Sequence, residues 1–179
     1  MSTLNVTNIK AADGTSGLSI ANSTGLVTAS AGFSNLKATN SGFKAYLSSD
    51  QSGFNGTSTA DHVVVYNTTS IHDGFNTGNN FSTSTGKYTA PVNGVYFFQA
   101  AGFASGITFS QSWFVKNGVR ATGTDWGGIS GAFQAAATIL KLNANDTVGY
   151  HPYIGSNSNV TMTANASHTY FTGALLYEV

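Results

Sequence analysis

Histidines and carboxylates are the side chains of this chain best suited to acid–base or metal chemistry, but their spacing matches no known motif. No histidine stands three or four residues from another, or from a carboxylate in a helical spacing, so a metalloprotease-type pattern is lacking. The seven acids include no paired-carboxylate motif, and no serine lies in a Gly-x-Ser-x-Gly elbow. We therefore predict no catalytic residue, no cofactor site and no metal site within one chain, and we expect that the protein is not an enzyme. The four histidines are His62, His72, His151 and His168.

The residues best suited to ligand contact lie in two loops. Asp125 and Trp126 are surrounded by glycines and small polar residues. Trp126 either stacks on a sugar ring, with Asp125 accepting hydroxyl hydrogen bonds, or folds back over its own domain or into a subunit interface. A second aromatic and polar loop offers the same alternatives. The predicted ligand contacts are Asp125, Trp126, His151, Tyr153 and Asn157.

The charge composition excludes several classes of partner. Charged residues make up 8% of the 179 residues, and seven basic side chains balance seven acidic ones. Such a surface cannot bind nucleic acid by releasing counterions from phosphates, and it lacks the basic clusters that seek anionic lipid. We expect neither nucleic-acid binding nor membrane insertion. The 41% of apolar residues, with no net charge, argues against a disordered chain.

Cysteine is absent, so disulfides and thiolate–metal sites are impossible. Stability must come from burial, including burial between subunits. The first residues do not combine a basic region with an apolar run, and no apolar run approaches the ~20 residues of a membrane helix. The expectation is a protein made in a cytoplasm that stays soluble or joins an assembly there.

The elements that must position the loops are predicted to be β-strands. Lys87 to Ala90 alternates long and short side chains, as a pleated strand requires, and Pro91 ends the ladder because it has no backbone donor. Asn93-Gly94 predicts a tight reversal with positive φ. Val95 to Phe98 would then return as a strand beside its neighbour.

Further strand patterns begin at Phe43. Residues Phe43 to Leu47 alternate, and Val63 to Tyr66 form a continuous apolar run that is typical of a strand covered on both sides. Asn117-Gly118 is a hairpin signal. Phe133 to Leu142 contains three alanines and allows a helix, but the period of two continues through Ile139, so we predict a strand. Several short strands without a helix favour an antiparallel sandwich or jelly roll.

Aromatic residues of the predicted strands are assigned to the core or to a subunit interface. Fully burying each such side chain contributes about 1.5 to 3 kcal/mol. The candidate core and interface residues are Phe97, Phe98, Trp113, Phe114, Phe133 and Phe171.

Residues 1–42 differ from residues 43–179, and we predict a separate anchor or stem segment ahead of a globular head. Short apolar pieces alternate with Gly-bearing turns, and no piece can bury a core alone. The segment is either a disordered arm or is ordered by neighbours, for example by intertwining with copies of itself; ordering in an assembly is favoured. The candidate anchor residues are Leu4, Val6, Ile9, Leu18 and Ile20.

From residue 43 onward the chain resembles the C1q-like domain of the complement and tumour-necrosis-factor superfamily. The landmarks are the TGKYTAP and GVYFF pieces before Phe98, the Lys116-Asn117-Gly118 turn, the stretch from Leu140 to Val148, and the closing strand from Phe171 to Tyr177. The resemblance implies an all-β, ten-stranded C1q/TNF-like jelly-roll sandwich that assembles as a homotrimer. Some members of the family bind calcium, but no run of oxygen ligands occurs here. One histidine per copy meeting on the trimer axis is the remaining metal hypothesis.

Residues 1–42 resemble N-terminal segments of structural proteins of tailed bacteriophages, in place of the family's usual collagen stalk. We therefore predict a non-enzymatic virion protein, made in the bacterial host cytoplasm, whose residues 1–42 bind other virion proteins. It is either a tail-fibre tip that contacts host surface glycan or protein, or a capsid decoration protein. The alternative class is a secreted or cell-surface C1q-type adhesion module, and a polysaccharide depolymerase ranks last.

Overall fold

The computed structural model of the chain divides it into two compact units, Met1–Thr39 and Asn40–Val179. All regular elements in the described part are strands, and no helix long and apolar enough to cross a membrane occurs there. The structure describes residues 8–10, 16–20, 27–29, 40–55, 62–104, 111–121, 126–127, 133–154, 159–164 and 168–179.

The first unit contains a three-stranded antiparallel sheet. Its strands are β1 (Asn8–Lys10), β2 (Ser16–Ile20) and β3 (Val27–Ala29), and β2 lies in the middle. In the register, Ile9 pairs with Leu18, and Leu18 pairs with Ala29. Two candidate anchor residues, Ile9 and Leu18, are therefore direct cross-strand neighbours.

The second unit is an antiparallel sandwich. A five-stranded sheet has the order β13-β9-β16-β4-β6, and a six-stranded sheet has the order β11-β10-β14-β8-β7, with β12 also paired to β10. Strands β15 and β5 form a separate pair. The strands are β4 (Gly42–Tyr46), β5 (Gln51–Phe54), β6 (Phe75–Thr77), β7 (Phe81–Ser82), β8 (Lys87–Thr89), β9 (Gly94–Phe103), β10 (Gln111–Lys116), β11 (Val119–Arg120), β12 (Trp126–Gly127), β13 (Phe133–Leu142), β14 (Thr147–Tyr153), β15 (Val160–Met162) and β16 (Tyr170–Glu178).

Aromatic rings from both sheets fill the space between them. Phe43 of β4 stacks on Phe81 of β7 with 4.4 Å between ring centroids, and it meets the ring of Phe171 edge-on at 4.8 Å. Tyr88 also stacks on Phe43, and burial raises the pKa of Tyr88 to about 12, although its hydrogen bond with Ser41 acts in the opposite direction. Dispersion and burial across this layer hold the two sheets together.

Two strand predictions are confirmed in detail. Phe133–Leu142 forms β13, which pairs with β9 in an unbroken register from Phe133 opposite Phe103 to Leu142 opposite Gly94. Asn117 and Gly118 have φ values of 51° and 77°, so they form the two-residue hairpin turn between β10 and β11.

The predicted reversal at Asn93-Gly94 is wrong. Strand β8 pairs with β7 and β14, whereas β9 begins at Gly94 in the other sheet, so this segment carries the chain from one sheet to the other. Neither residue has a positive φ. The side-chain oxygen of Asn93 instead accepts a hydrogen bond from the Ala144 N–H at 2.8 Å, and its carbonyl accepts one from the Val179 N–H at 3.1 Å.

The prediction of a strand at Val63 to Tyr66 is also wrong, although Val63, Val64 and Tyr66 are buried as the apolar run indicated. The segment forms no ladder. Its Val64 N–H donates to the Tyr150 carbonyl at 2.9 Å, and its Val65 N–H donates to the side chain of Gln51 at 2.9 Å. It is an extended segment bonded to β14 through Val64; the side chains of Val64 and Tyr66 pack in the core between the sheets, and Val63 packs with Trp113 on the outward side.

Candidate functional site: the open face of the sandwich

The second unit has two outward-facing sheet surfaces. The covered face is the outward side of the six-stranded sheet around Trp113 and His151. The open face is the outward side of the five-stranded sheet around Phe97 and Ile139. Residues directly opposite each other on antiparallel strands point to the same side, so the register assigns each side chain to a face.

On the covered face, the extended segment and the sheet are in close contact. A Cβ atom on Gly149 would lie 2.8 Å from Cγ1 of Val63, so the glycine permits the close approach. The His151 ring is stacked on the Trp113 ring, with 4.6 Å between centroids and 12° between planes. The guanidinium of Arg120 lies 4.1 Å from the centroid of the same Trp113 ring, a cation–π contact. The chain thus covers this face with its own side chains.

The predicted ligand contact His151 lies on the covered face, and its side chain is fully buried. The His151 ring contacts two other rings: it stacks on Trp113, and its centroid lies 6.2 Å from that of His62 at a steep interplanar angle of 75°. It lies in the interior rather than at the loop surface that ligand contact requires. Tyr153 is half-buried at the border of the same cluster, with its ring 5.6 Å from that of Trp113.

The remaining predicted ligand contacts are less completely described. Asp125 and Asn157 lie outside the described residues. Trp126 belongs to the short strand β12, where its backbone is opposite Ser112 of β10. Of the five predicted ligand contacts, the structure shows two close together: the rings of His151 and Tyr153 both contact Trp113.

The open face has an apolar row at its centre. Phe97 in β9 lies opposite both Ile139 in β13 and Ala174 in β16, so three strands contribute to one row. Ile139 is 62% exposed and Phe97 is half-buried. The next row is also uncharged at its centre, with Gln99 opposite Ala137 and Thr172.

A β-bulge extends the apolar surface toward the end of β16. The register with β9 shifts between Leu175 and Tyr177, and Tyr177 lies opposite Val95. Leu176 is 51% exposed and Tyr177 is 59% exposed. An irregularity of this kind re-aims side chains, and here it leaves two large apolar residues in solvent.

Charge at the edge of the open face is locally neutralised. The Lys44 Nζ lies 2.6 Å from Oδ2 of Asp73, and the Tyr46 hydroxyl donates a hydrogen bond to the same carboxylate. The bond from Lys44 first, and that from Tyr46 second, lower the pKa of Asp73 to about 2. The same bond to Asp73 raises the pKa of Lys44. Because Lys44 is opposite Thr172 in the register, this pair closes one side of the open face without leaving a net charge.

Five of the six candidate core and interface aromatics have described side chains, and these lie in three places. Phe98, Phe114 and Phe171 are fully buried between the sheets, and Trp113 is buried at the covered face. Phe97 lies on the open face. The backbone of Phe133 is in β13; its side chain, like those of the anchor residues Ile9, Leu18 and Ile20, is outside the described part, as are Leu4 and Val6.

Sequence reasoning missed the exposed residues Ile139, Leu176 and Tyr177. The sequence did contain a signal for Ile139. Side chains three residues apart on a strand point to opposite faces, so if Leu142 faces the core, Ile139 faces outward. Among the described residues, no group of three histidine or carboxylate side chains is placed to hold a metal ion. The open face suits adhesion to another apolar surface, not acid–base chemistry.

Comparison with known proteins agrees with this geometry. A family model described as the C1q domain matches residues 43–176. The structure is similar to the Eiger TNF of S. frugiperda, with a TM-score of 0.53 at 8% identity, covering 79% of this chain and 96% of that chain. It is also similar to the globular domain of the zebrafish complement 1qA protein, with a TM-score of 0.48 at 16% identity, covering 78% of this chain and 99% of that chain.

Among curated protein sequences, none matches the chain. The all-β jelly-roll class that the sequence predicted is confirmed by the antiparallel sandwich and by its likeness to the Eiger TNF. The count of ten strands and the trimeric state stay predictions.

Proposed function

The chain belongs to the C1q domain family, and we propose that it is a non-enzymatic binding protein that works as a homotrimer. The observation that carries the proposal is the contrast between the two faces: the chain buries Trp113 and Val63 under its own segments but exposes Ile139 on the other side. Large apolar side chains that remain in solvent on one flat surface favour a contact with a further copy.

Association through the two central rows of the open face desolvates no ionisable side chain, and the exposed Lys141 lies in the adjoining row, opposite Val95. The central rows contain Phe97, Gln99, Ile139, Thr172 and Ala174, and none of these is ionisable. Burying one large apolar side chain contributes about 1.5 to 3 kcal/mol. A closed ring of three copies repeats that gain at three interfaces and gives one rigid particle with three equivalent binding surfaces, so avidity replaces strong single-site affinity.

The finer proposal is a bacteriophage virion structural protein, made in the bacterial cytoplasm and located in the virion. Its support is the resemblance of residues 1–42 to N-terminal segments of tailed-phage proteins, together with the absence of cysteine. In this proposal residues 1–42 attach the trimer to other virion proteins. The head is either the tip of a tail fibre that contacts host surface glycan or protein, or a capsid decoration.

A secreted or cell-surface C1q-type recognition module is the second candidate, and membership of the C1q domain family favours it. Antibodies raised against the full chain separate the two. Detection in density-purified virus particles, at a constant number of copies per particle, supports the virion proposal. Detection only on cells or in their medium, with none in particles, rejects it in favour of the second candidate.

Host contact is tested on a glycan array with the full-length protein. We expect reproducible binding to a small set of glycans, loss of binding in Trp126→Ala, and retention in Trp126→Phe, which keeps an aromatic stacking surface. Equal binding by all three proteins would place recognition elsewhere. Release of soluble fragments from host capsule would contradict the non-enzymatic assignment.

A further inference from the structure

The three-stranded sheet of the first unit has two faces of different chemistry. Ile9, Leu18 and Ala29 form one row across all three strands. Ile20 and Val27 form a second row, two residues along from Leu18 and Ala29, and therefore on the same side. We call these five residues the aliphatic face.

The opposite side of the same sheet is polar. Asn8 pairs with Ser19, and Ser19 pairs with Thr28, which gives a row of three small polar residues. Because successive residues of a strand alternate between faces, each aliphatic residue of β2 and β3 is next in sequence to a polar one. A sheet patterned in this way is stable only if its apolar side is covered.

The first unit lacks the usual means of stabilising a small fold. It spans Met1–Thr39, and units below ~40 residues generally need disulfides, a metal or oligomerisation. Its sequence contains no cysteine and no histidine, and Asp13 is its one carboxylate residue, so neither a disulfide nor a metal site can form. Oligomerisation is the means that remains.

We infer that the aliphatic faces of three copies pack against one another and form a trimeric stem. The inference rests on the proposed homotrimer, which tethers three copies of the first unit close together at an effective concentration of about millimolar. The composition favours a like partner. The aliphatic face contains no aromatic residue and no charge, whereas contacts with unlike proteins rely on aromatic and arginine anchors.

Single-cysteine chains test the stem directly, because the protein contains no cysteine of its own. Leu18 belongs to the aliphatic face and Ser19 to the polar row, so full-length Leu18→Cys is the test variant and Ser19→Cys is the matched control. Mild oxidation followed by a non-reducing gel measures the rate of the inter-chain disulfide. We expect at least tenfold faster dimer formation in Leu18→Cys than in Ser19→Cys, with slow maleimide labelling of Leu18→Cys before oxidation.

Light scattering of the same reduced samples separates the stem from the head. A trimer that forms no faster disulfide in Leu18→Cys overturns the stem alone. If Leu18→Cys is protected from maleimide but forms no inter-chain disulfide, the aliphatic face is covered by something other than a copy of itself, and the inference is also wrong. A monomer in light scattering rejects the proposed trimer and the stem together.

Discussion

Both outward faces of the sandwich carry large apolar side chains, but those of the covered face are buried and some of those on the open face are exposed. On the covered face, Val63 approaches Gly149 and the rings of Trp113 and His151 stack, so the surface is dry within one copy. On the open face, no described segment covers the row of Phe97 and Ile139, and Ile139 is 62% exposed. We propose that one face is completed during folding of the single chain and that the other is completed by assembly.

The largest effect is expected on the covered face. Trp113→Ala removes a buried ring that contacts His151, Tyr153 and Arg120, and such a truncation costs about 3 to 5 kcal/mol of unfolding free energy. Denaturant unfolding at fixed protein concentration measures it. The control is Val119→Ala, a residue that is 67% exposed, and it should change stability by less than about 0.5 kcal/mol. A loss below ~1 kcal/mol in Trp113→Ala would contradict a face that is completed within one copy.

The open face should respond in assembly and not in folding. Ile139→Asp places a carboxylate in the proposed interface, and we expect the association constant to fall at least a hundredfold, or ~3 kcal/mol, because the charge loses its water without gaining a partner. Analytical ultracentrifugation across a dilution series measures association, and far-UV circular dichroism checks the fold. Val119→Asp is the matched control, since Val119 is equally exposed but lies on the edge strand β11. If both variants stay trimeric, the interface is elsewhere.

A smaller loss of stability is expected where Val63 packs against Gly149 of β14. Gly149→Val adds side-chain atoms that would lie against Val63, and overpacking of this kind costs about 1 to 3 kcal/mol. Thermal unfolding measures the loss. Thr89→Val, an exposed position on β8 of the same sheet, is the control and should be nearly neutral. A neutral Gly149→Val would show that the segment is not held against β14.

The smallest effect concerns a charge contact outside both faces. Hydrogen bonds from Lys116 first and from Asn117 second lower the pKa of Asp146 to about 2, against about 3.9 in an unfolded chain. Because the folded-state pKa is the lower one, this contribution is present above pH 3.9 and is lost as the pH falls toward 2. The contact is exposed to solvent, so the change is small. In Asp146→Asn we expect the free energy of unfolding to fall less between pH 4 and pH 2 than in the unchanged protein. An equal fall in both proteins would show that the contact of Asp146 with Lys116 and Asn117 does not contribute to stability.

The class of fold followed from local patterns, and the roles of the faces did not. The period of two around Ile139 and the Asn117-Gly118 turn are local signals, so β13 and the β10–β11 hairpin were predictable from sequence. The burial of His151 was not predictable from its own loop, because it depends on Trp113 and His62, which are far away in the sequence. The crossing at Asn93-Gly94 was misjudged for a similar reason, since a local turn signal does not specify which sheet receives the next strand.

Multi-angle light scattering on the full chain tests the central claim most directly. A homotrimer of 18.5 kDa copies has a mass of about 56 kDa, three times 18.5, and we expect that mass at micromolar concentration for the unchanged protein. A well-folded particle of 18.5 kDa under the same conditions would show that the open face needs no second copy, and would contradict the account.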